Sequence, residues 1–323
     1  MSLATPSRSA VITGPRQTRL RAGAPPPPGS GQVRIRLHGC GICASNLPVW
    51  QGREWFRYPQ APGAPGHEGW GEIDAVGEGV EHLRAGERVA ALSYHAYAEH
   101  DVADAGAVVA LPDALADRPF PGEPLGCAMN IFARSDIEAG QTVAVVGTGF
   151  LGGLLLQLAK DRGARVLALS RRPSSLDLAA ALGADHSIST VDAGAAAARV
   201  RDLTDGRGCE RVIETGGVQS TLDLASVLAA EGGRLIVAGF HQDGPRQVDM
   251  QHWNWLGIDV INAHERDPAR SVAGLREAVN AVRSGRLDPW PLLTHRFALD
   301  QLDAGFRALD ERPDGFVKGL LLL

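Results

Sequence analysis

The feature that most constrains the fold is a glycine-rich turn that follows a short buried strand. The turn, Gly147-Thr-Gly149-Phe-Leu-Gly152, comes after the apolar run 143–146 and before a helical pattern over 150–161. The first glycine permits a tight bend, the second lets the backbone approach a pyrophosphate, and the third allows close packing of helix on strand. The N-terminus of the helix favours the negative charge of a phosphate. The pattern therefore predicts a dinucleotide site at these three glycines.

The same texture continues from about residue 125 to 262. Further apolar runs at 166–169, 212–213 and 235–238 are separated by amphipathic stretches such as 175–182. Short apolar runs spaced by helices are typical of parallel strands that are buried on both faces. We therefore expect an α/β fold in which residues 125–262 form a doubly wound parallel sheet.

The N-terminal third has a different pattern, typical of β-structure. Residues 33–38 alternate apolar and polar, as in a half-buried strand. The proline-rich segment 23–31 predicts a loop, because proline lacks the backbone donor that a strand needs. We expect a β-rich domain at 1–124, completed by the mixed tail 263–323.

Composition excludes several classes of partner. The chain has 323 residues, of which 44% are hydrophobic, so it can bury the cores of two domains. The net charge of -5 and the lack of a basic run favour neither nucleic acid nor an anionic membrane. The first residues lack the apolar core of a secretory signal, and four cysteines are too few for a disulfide framework. We expect a cytoplasmic protein that acts on a small molecule, with its thiols free or metal-bound.

The second strand of the α/β domain ends at Ser170-Arg171-Arg172. Domains that prefer NAD usually place an acidic residue here, which binds the 2′-hydroxyl of the ribose. A hydroxyl and two guanidinium groups suit a 2′-phosphate instead, because arginine binds phosphate through charge-assisted hydrogen bonds. The alternative is that both arginines are solvent-exposed residues of a surface turn and bind no ligand. We favour NADP as the cofactor.

Thiolate, imidazole and carboxylate side chains occur in an order that suits zinc. Cys43 follows the alternating strand, His67 and Glu68 come next, and Glu123 lies just before the α/β domain. Three protein ligands and an open position define a catalytic zinc site. Taken singly, a cysteine is more often a small buried apolar residue, and a histidine is more often a hydrogen-bonded interior residue. The combination is what indicates a metal.

These motifs together resemble the zinc-containing alcohol, sorbitol and threonine dehydrogenases of the medium-chain dehydrogenase/reductase family. The resemblance is carried by Gly41-Ile-Cys43, by Gly66-His67-Glu68-x-x-Gly71 with Gly77 and Val80, by Glu123-Pro124-Leu, and by the glycine turn. It extends to the closing Gly315-Phe-Val-Lys318 and so covers nearly the whole chain. The implied fold is a GroES-like catalytic domain with a Rossmann cofactor domain.

The resemblance also implies roles for particular residues. Cys43, His67 and Glu123 would hold one catalytic zinc, with Glu68 as an alternating ligand or as support for the others. The zinc would polarise the substrate oxygen. Ser45 would begin the proton relay, and Lys318 would lie near the cofactor pyrophosphate unless it is a surface lysine.

The sequence departs from the family in four places. It has no cysteine between Val89 and Glu123, so the second, structural zinc of many relatives has no ligands here. Asn46 replaces the usual aspartate, and we expect it to accept a hydrogen bond from His67. Pro48 stands where relatives often end the relay with histidine, and it cannot shuttle a proton.

The fourth departure is Cys127, which competes with Glu123 for the third ligand position. Pro124 suits the first position of a helix, which would place Cys127 in the first turn, where a thiolate is favoured. The spacing from Glu123 to the glycine turn resembles that of sorbitol dehydrogenases, which use glutamate, and we prefer Glu123.

The function that we expect is a zinc-dependent transfer of hydride between NADP(H) and a secondary alcohol or polyol, or the corresponding ketone. The alternatives are a zinc-independent NADPH reductase of enones or quinones from the same superfamily, and a non-catalytic NADPH-binding protein. The apolar stretch 258–263 resembles an edge strand that pairs across a dimer axis in this family, so we expect a homodimer or homotetramer.

Overall fold

The computed structural model describes residues 6–323. Its strands are β1 Ser7–Gly14, β2 Gln17–Gly23, β3 Gln32–Ile42, β4 Gly69–Val76, β5 Arg88–Ala91, β6 His100–Asp104, β7 Val108–Ala110, β8 Thr142–Val146, β9 Arg165–Ser170, β10 His186–Ser189, β11 Cys209–Glu214, β12 Ala229–Val237, β13 Asp259–Asn262, β14 His295–Ala298 and β15 Gly319–Leu322. Its α-helices are α1 Leu47–Gln51, α2 Asp113–Ala116, α3 Gly122–Ser135, α4 Phe150–Asp161, α5 Pro173–Ala181, α6 Ala193–Leu203, α7 Gln219–Leu228, α8 Met250–Leu256, α9 Pro268–Arg283 and α10 Leu302–Glu311.

The chain divides into two compact units. The first comprises the residues up to Gly126 with Asp267–Arg283 and Leu293–Leu323, and the second comprises Cys127–Arg266 and Ser284–Leu292. The sequence boundaries, 124/125 and 262/263, lie a few residues away. The segment 284–292 belongs to the second unit because it packs on α4. A Cβ at Gly153 would lie 2.7 Å from the Leu292 side chain, and Gln157 bonds the Asp288 carbonyl.

The first unit is built on a seven-stranded sheet that follows the order β14-β15-β3-β4-β5-β7, with β6 also paired to β3. The predicted strand 33–38 lies within β3, where Val33, Ile35 and Leu37 are buried, so the alternation reflects one core-facing side. The tail strand β15 pairs antiparallel with β3, so the C-terminal residues complete this sheet.

The second unit has a six-stranded parallel sheet in the order β10-β9-β8-β11-β12-β13. The chain fills one half of the sheet and then the other, so the strand order reverses between β8 and β11. Val143 to Val146 in β8 are at most 1% exposed, as expected for a strand that is covered on both faces. The predicted α/β class with a doubly wound parallel sheet is confirmed.

The details of this unit show where sequence patterns are sufficient. Helix α4 spans the predicted 150–161, whereas α5 begins two residues before the expected 175, at Pro173, whose fixed φ suits a first turn. Strand β12 begins at Ala229, several residues before the predicted 235–238. The intervening Glu231-Gly-Gly has no apolar signal, which is why the first half of this strand was not predicted.

The two edges of the parallel sheet are unlike each other. Strand β10 was not predicted, because its residues His186-Ser-Ile-Ser189 are mostly polar. Strand β13 lies within the stretch 258–263 that we expected to form an edge, and it pairs only with β12 among the described residues. No helix in the described part of the chain is long and apolar enough to cross a membrane.

Candidate metal centre and cofactor site

The pairing of β3 with β4 brings two of the sequence motifs together. Cys43 follows the end of β3, and His67 and Glu68 immediately precede the start of β4. The strands are antiparallel, with Cys40 opposite Gly69, so the end of one lies beside the start of the other. The Gly41 amide donates to the Glu68 carbonyl at 3.2 Å. Sheet pairing therefore positions residues that are 24 or more positions apart in sequence.

Cys43, His67 and Glu68 form a group of ligand atoms that lie within 4.8 Å of one another. Cys43 and His67 are partly exposed, whereas Glu68 is fully buried. The Tyr94 ring stacks beside His67, with centroids 6.4 Å apart. Two of the ligand atoms therefore belong to side chains that solvent reaches.

The orientation of His67 follows from its backbone neighbour. Its Nδ1 lies 2.8 Å from the Pro65 carbonyl oxygen. Since a carbonyl only accepts, Nδ1 carries the proton and Nε2 is left for the cluster. Burial lowers the pKa of His67, but the hydrogen bond and charge of Cys43, with the charges of Glu123 and Glu68, raise it to about 10. The site therefore has a strong negative potential that attracts a cation.

Glu68 and Lys318 form a buried ion pair below the cluster. The Lys318 Nζ lies 2.6 Å from Glu68 Oε1, and the two side chains are 6% and 0% exposed. Burial lowers the pKa of Lys318, but the charges of Glu68 and Cys43 outweigh this and raise it. The sequence placed Lys318 near the cofactor pyrophosphate. The structure gives its ammonium a different partner, because β15 brings the lysine beside the end of β3.

The residues present fit a divalent zinc ion. Glu68 Oε2 is buried and has no hydrogen-bond partner within the described structure, and buried carboxylate oxygens normally have one. A Cβ at Gly41 would lie 1.7 Å from this oxygen, so glycine leaves room for the carboxylate. Thiolate, imidazole and carboxylate are ordinary zinc ligands.

Ser45 and Asn46 lie in the short turn after Cys43. The Ser45 hydroxyl donates to Cys43 Sγ at 3.2 Å, so it lies beside the cluster. Asn46 is buried, but its Oδ1 accepts from the Tyr97 hydroxyl at 2.8 Å. The expected hydrogen bond from His67 to Asn46 is therefore wrong, because the Pro65 carbonyl takes the imidazole N–H.

The two candidates for the third ligand differ in their environment. Glu123 belongs to the first unit, and its charge acts on both His67 and Lys318, although it lies outside the 4.8 Å group. Cys127 is exposed and belongs to the second unit. Helix α3 begins at Gly122, so Pro124 is its third residue rather than its first, and Cys127 is in the second turn. Cys127 therefore lacks the expected first-turn position.

The glycine turn has the geometry that a dinucleotide site requires. Gly147 has a φ of +100°, and its amide donates to the Leu169 carbonyl. A Cβ at Gly152 would lie 2.0 Å from the Gly147 carbonyl oxygen, so only glycine permits this approach of α4 to the turn. A Cβ at Gly149 would meet nothing within 4 Å, so the backbone there faces open space. The turn leaves room for a pyrophosphate at the N-terminus of α4.

Ser170 is the last residue of β9, the neighbour of β8 in the sheet. The serine is 9% exposed, and its Oγ accepts from the Arg172 amide at 3.4 Å. Arg171 is exposed, and Arg172 occupies the N-cap position of α5 without a side-chain capping hydrogen bond. A cation and a helix N-terminus therefore lie one strand away from the glycine turn.

Several residues that shape these sites were not predicted from the sequence. The Pro65 carbonyl orients His67, and Tyr97 bonds Asn46. Glu214, at the end of β11, precedes Thr215, whose hydroxyl bonds the backbone at the start of the glycine turn. A backbone carbonyl has no sequence signal. Glu214 did have a sequence signal, because a charged residue directly after the apolar pair Val212-Ile213 is a candidate for binding a partner or a ligand.

Two family models match most of the chain. Residues 29–113 match the model of the alcohol dehydrogenase GroES-like domain, and residues 151–280 match the model of zinc-binding dehydrogenases. Sorbitol dehydrogenase of Halalkalibacterium halodurans is 26% identical over 317 residues, which cover 88% of this chain and 90% of that protein.

Solved structures show the same fold along the chain. A short chain alcohol dehydrogenase of Escherichia coli, complexed with NADH, is 24% identical with a TM-score of 0.88, and the match covers 99% of this chain and 100% of that one. A zinc-binding dehydrogenase of Sinorhizobium meliloti, bound to NADP, is 22% identical with a TM-score of 0.85 at the same coverage. The domain models, the relatives and the fold agree, and the chain belongs to the zinc-type medium-chain alcohol dehydrogenase family.

Proposed function

We propose that this protein is a zinc-dependent oxidoreductase that transfers a hydride between NADP(H) and a secondary alcohol or polyol, or the corresponding ketone. The observation that carries the proposal is the buried Glu68, which offers a carboxylate oxygen within 4.8 Å of a thiol and an imidazole and whose Oε2 has no hydrogen-bond partner within the described structure. Zinc-independent reductases of enones or quinones need no such ligand set.

The chain's own residues would divide the work as follows. Cys43 and His67, with a carboxylate from Glu123 or Glu68, would hold one zinc, which polarises the substrate oxygen when bound. Ser45 lies beside Cys43, where its hydroxyl would take the proton of the substrate alcohol. Pro48 has no side-chain group that could pass the proton on. The proton would therefore leave through Glu68, water or the cofactor ribose.

The first test is metal content with turnover. The protein as purified from zinc-supplemented cells should contain about one zinc per chain and oxidise NADPH with a panel of ketones and ketoses. His67→Ala should lose both zinc and turnover. Turnover of enones or quinones without zinc would favour the reductase alternative, and NADPH binding without any turnover would favour the non-catalytic one.

The third ligand is tested with a pair of matched variants. Glu123→Ala should lose zinc, whereas Cys127→Ala should retain it, because Cys127 is exposed and lies outside the first helical turn. Glu68→Ala tests whether Glu68 is a permanent or an alternating ligand. The variant should lose zinc completely only if Glu68 is a permanent ligand. Loss of zinc in Cys127→Ala, with zinc kept in Glu123→Ala, would reverse the assignment.

Preference for NADP is proposed from Ser170, Arg171 and Arg172. A hydrogen bond to a charged group contributes about 1.5–3 kcal/mol, so Arg171→Ala should weaken NADPH binding by about tenfold or more and leave NADH nearly unchanged. Arg207→Ala is the matched control, because this exposed arginine precedes β11 at the opposite, amino end of the sheet. Equal dissociation constants for NADPH and NADH in the unmodified protein would contradict the preference.

A further inference from the structure

A buried carboxylate lies at the carboxyl end of β11, in the second unit. Glu214 is 0% exposed. Its Oε1 accepts from the Gly217 amide at 2.7 Å and from the Thr221 hydroxyl at 2.6 Å. Its Oε2 lies 3.0 Å from His241 Nε2. Both carboxylate oxygens therefore have partners. The partner of Oε2 is the imidazole of His241, from the loop after β12.

The protonation of His241 follows from its second neighbour. The Arg246 Nε, which can only donate, lies 2.8 Å from His241 Nδ1. Nδ1 therefore accepts, and Nε2 carries the proton that is donated to Glu214. Arg246 also donates to the Gly217 carbonyl at 3.0 Å and pairs with Asp243. A neutral imidazole thus links a buried carboxylate to a guanidinium.

This network holds together three turns at the carboxyl ends of adjacent strands. The Thr215 amide donates to the Val146 carbonyl at 2.9 Å, and its hydroxyl donates to the Gly147 carbonyl. A Cβ at Gly147 would lie 2.8 Å from the Thr215 hydroxyl, and one at Gly239 would lie 2.4 Å from the Gly217 amide. The turns after β8, β11 and β12 are therefore in close contact, with no room for a side chain at Gly147 or Gly239.

We propose that His241 and Arg246 are positioning residues for the cofactor. They hold the turn 214–217 against Gly147 and so keep the pyrophosphate-binding backbone in place. Ligands of doubly wound sheets bind where the strand order reverses, which here is between β8 and β11, the strands that carry these two turns. The inference rests on the proposed function, since it assumes that a dinucleotide binds at this edge. The new element is that the affinity for the dinucleotide depends on side chains outside the glycine motif.

The test is a fluorescence titration of the full-length protein with NADPH and with NADH, which measures cofactor binding directly. His241→Leu removes both hydrogen bonds and should weaken both cofactors at least tenfold and to a similar extent. His241→Gln keeps one donor and one acceptor and should stay within about threefold of the unmodified protein. His186→Leu, at the amino end of β10, is the control and should leave both dissociation constants unchanged. Zinc content should be unchanged in all three variants.

Two further measurements keep the inference testable if His241→Leu does not fold. Arg246→Met should also weaken both cofactors, and nitrogen NMR of the unmodified protein should show His241 with its proton on Nε2. Equal binding by the unmodified protein and by folded Leu and Met variants would overturn the positioning role alone. A His241 proton on Nδ1 would overturn it too. If the unmodified protein binds neither cofactor, the proposed function fails and this inference fails with it.

Discussion

Replacement of Lys318 by methionine would expose how much the first unit depends on its buried ion pair. The Lys318 ammonium lies 2.6 Å from Glu68 Oε1, and the side chains are 6% and 0% exposed. Lys318→Met would leave the Glu68 carboxylate buried without this cation, while the other oxygen already has no partner. Breaking a buried pair from one side costs about 3–5 kcal/mol.

This loss converts into a measurable shift in melting temperature. For a domain of roughly 150–250 residues, 1 kcal/mol corresponds to about 2–4 °C, so the variant should melt about 6–20 °C lower. The assay is scanning calorimetry of EDTA-treated protein, because bound zinc would stabilise the folded state by mass action. Lys160→Met is the matched control. Its pair with Asp185 at 2.8 Å is about one-third exposed, and such surface pairs contribute only about 0–1 kcal/mol.

The double variant Glu68→Met with Lys318→Met separates a lost charge partner from lost packing. Replacing both charges by apolar side chains of similar size is often neutral or stabilising, so the double variant should recover most of the loss. Two results would refute the reasoning. One is a Lys318→Met protein that melts within 2 °C, a threshold of about 1 kcal/mol or less, of the unmodified protein. The other is a double variant as unstable as the single one, which would show that packing of the lysine stem is responsible.

Three further predictions address other parts of the molecule. Ser45→Ala should lower kcat by about 10²-fold or more with zinc retained, and an unchanged pH–rate profile in an active variant would show that the proton takes another path. Iodoacetamide at pH 8 should modify Cys127 but spare Cys209 and Cys40 in the folded protein. Burial raises the pKa of Cys209 to about 12 and that of Cys40 well above its usual range, so both stay protonated. Peptide mass spectrometry would detect a contrary order. Light scattering should give a dimer or tetramer through the exposed edge strand β13, and a stable monomer at micromolar concentration would contradict this.

The fold could be predicted to the extent that its signals are local. The apolar run 143–146, the glycine turn and the helix after it are adjacent in sequence, and the structure reproduces them almost residue for residue. Strand β10 lacked an apolar run, since it forms a sheet edge, and the early part of β12 was hidden by Gly232-Gly233. Both differences reflect burial on the sheet, which a short window of sequence does not contain.

The candidate site shows the same division. Cys43, His67 and Glu68 were found from their motifs, because the turns that display them are encoded by neighbouring residues. The sequence also singled out Lys318, but not its pairing with Glu68, because the two residues are 250 positions apart. Asn46, which replaces the aspartate usual in the family, is informative here. Asn46 was expected to orient His67 by analogy, but its oxygen turned towards Tyr97, a contact that depends on packing across 51 positions.

The two sites use buried carboxylates in the same way. Glu68 lies just before β4 and Glu214 ends β11, so in both cases a strand end brings the carboxylate beside a turn of a candidate site. Each has a cationic side chain from a separate segment within reach, Lys318 directly and Arg246 through His241. A buried charge is tolerated only with such compensation, so the compensating residue constrains the turn as firmly as the motif does. Substitutions of Lys318, His241 and Arg246 should therefore affect metal and cofactor binding through the geometry of these two carboxylates.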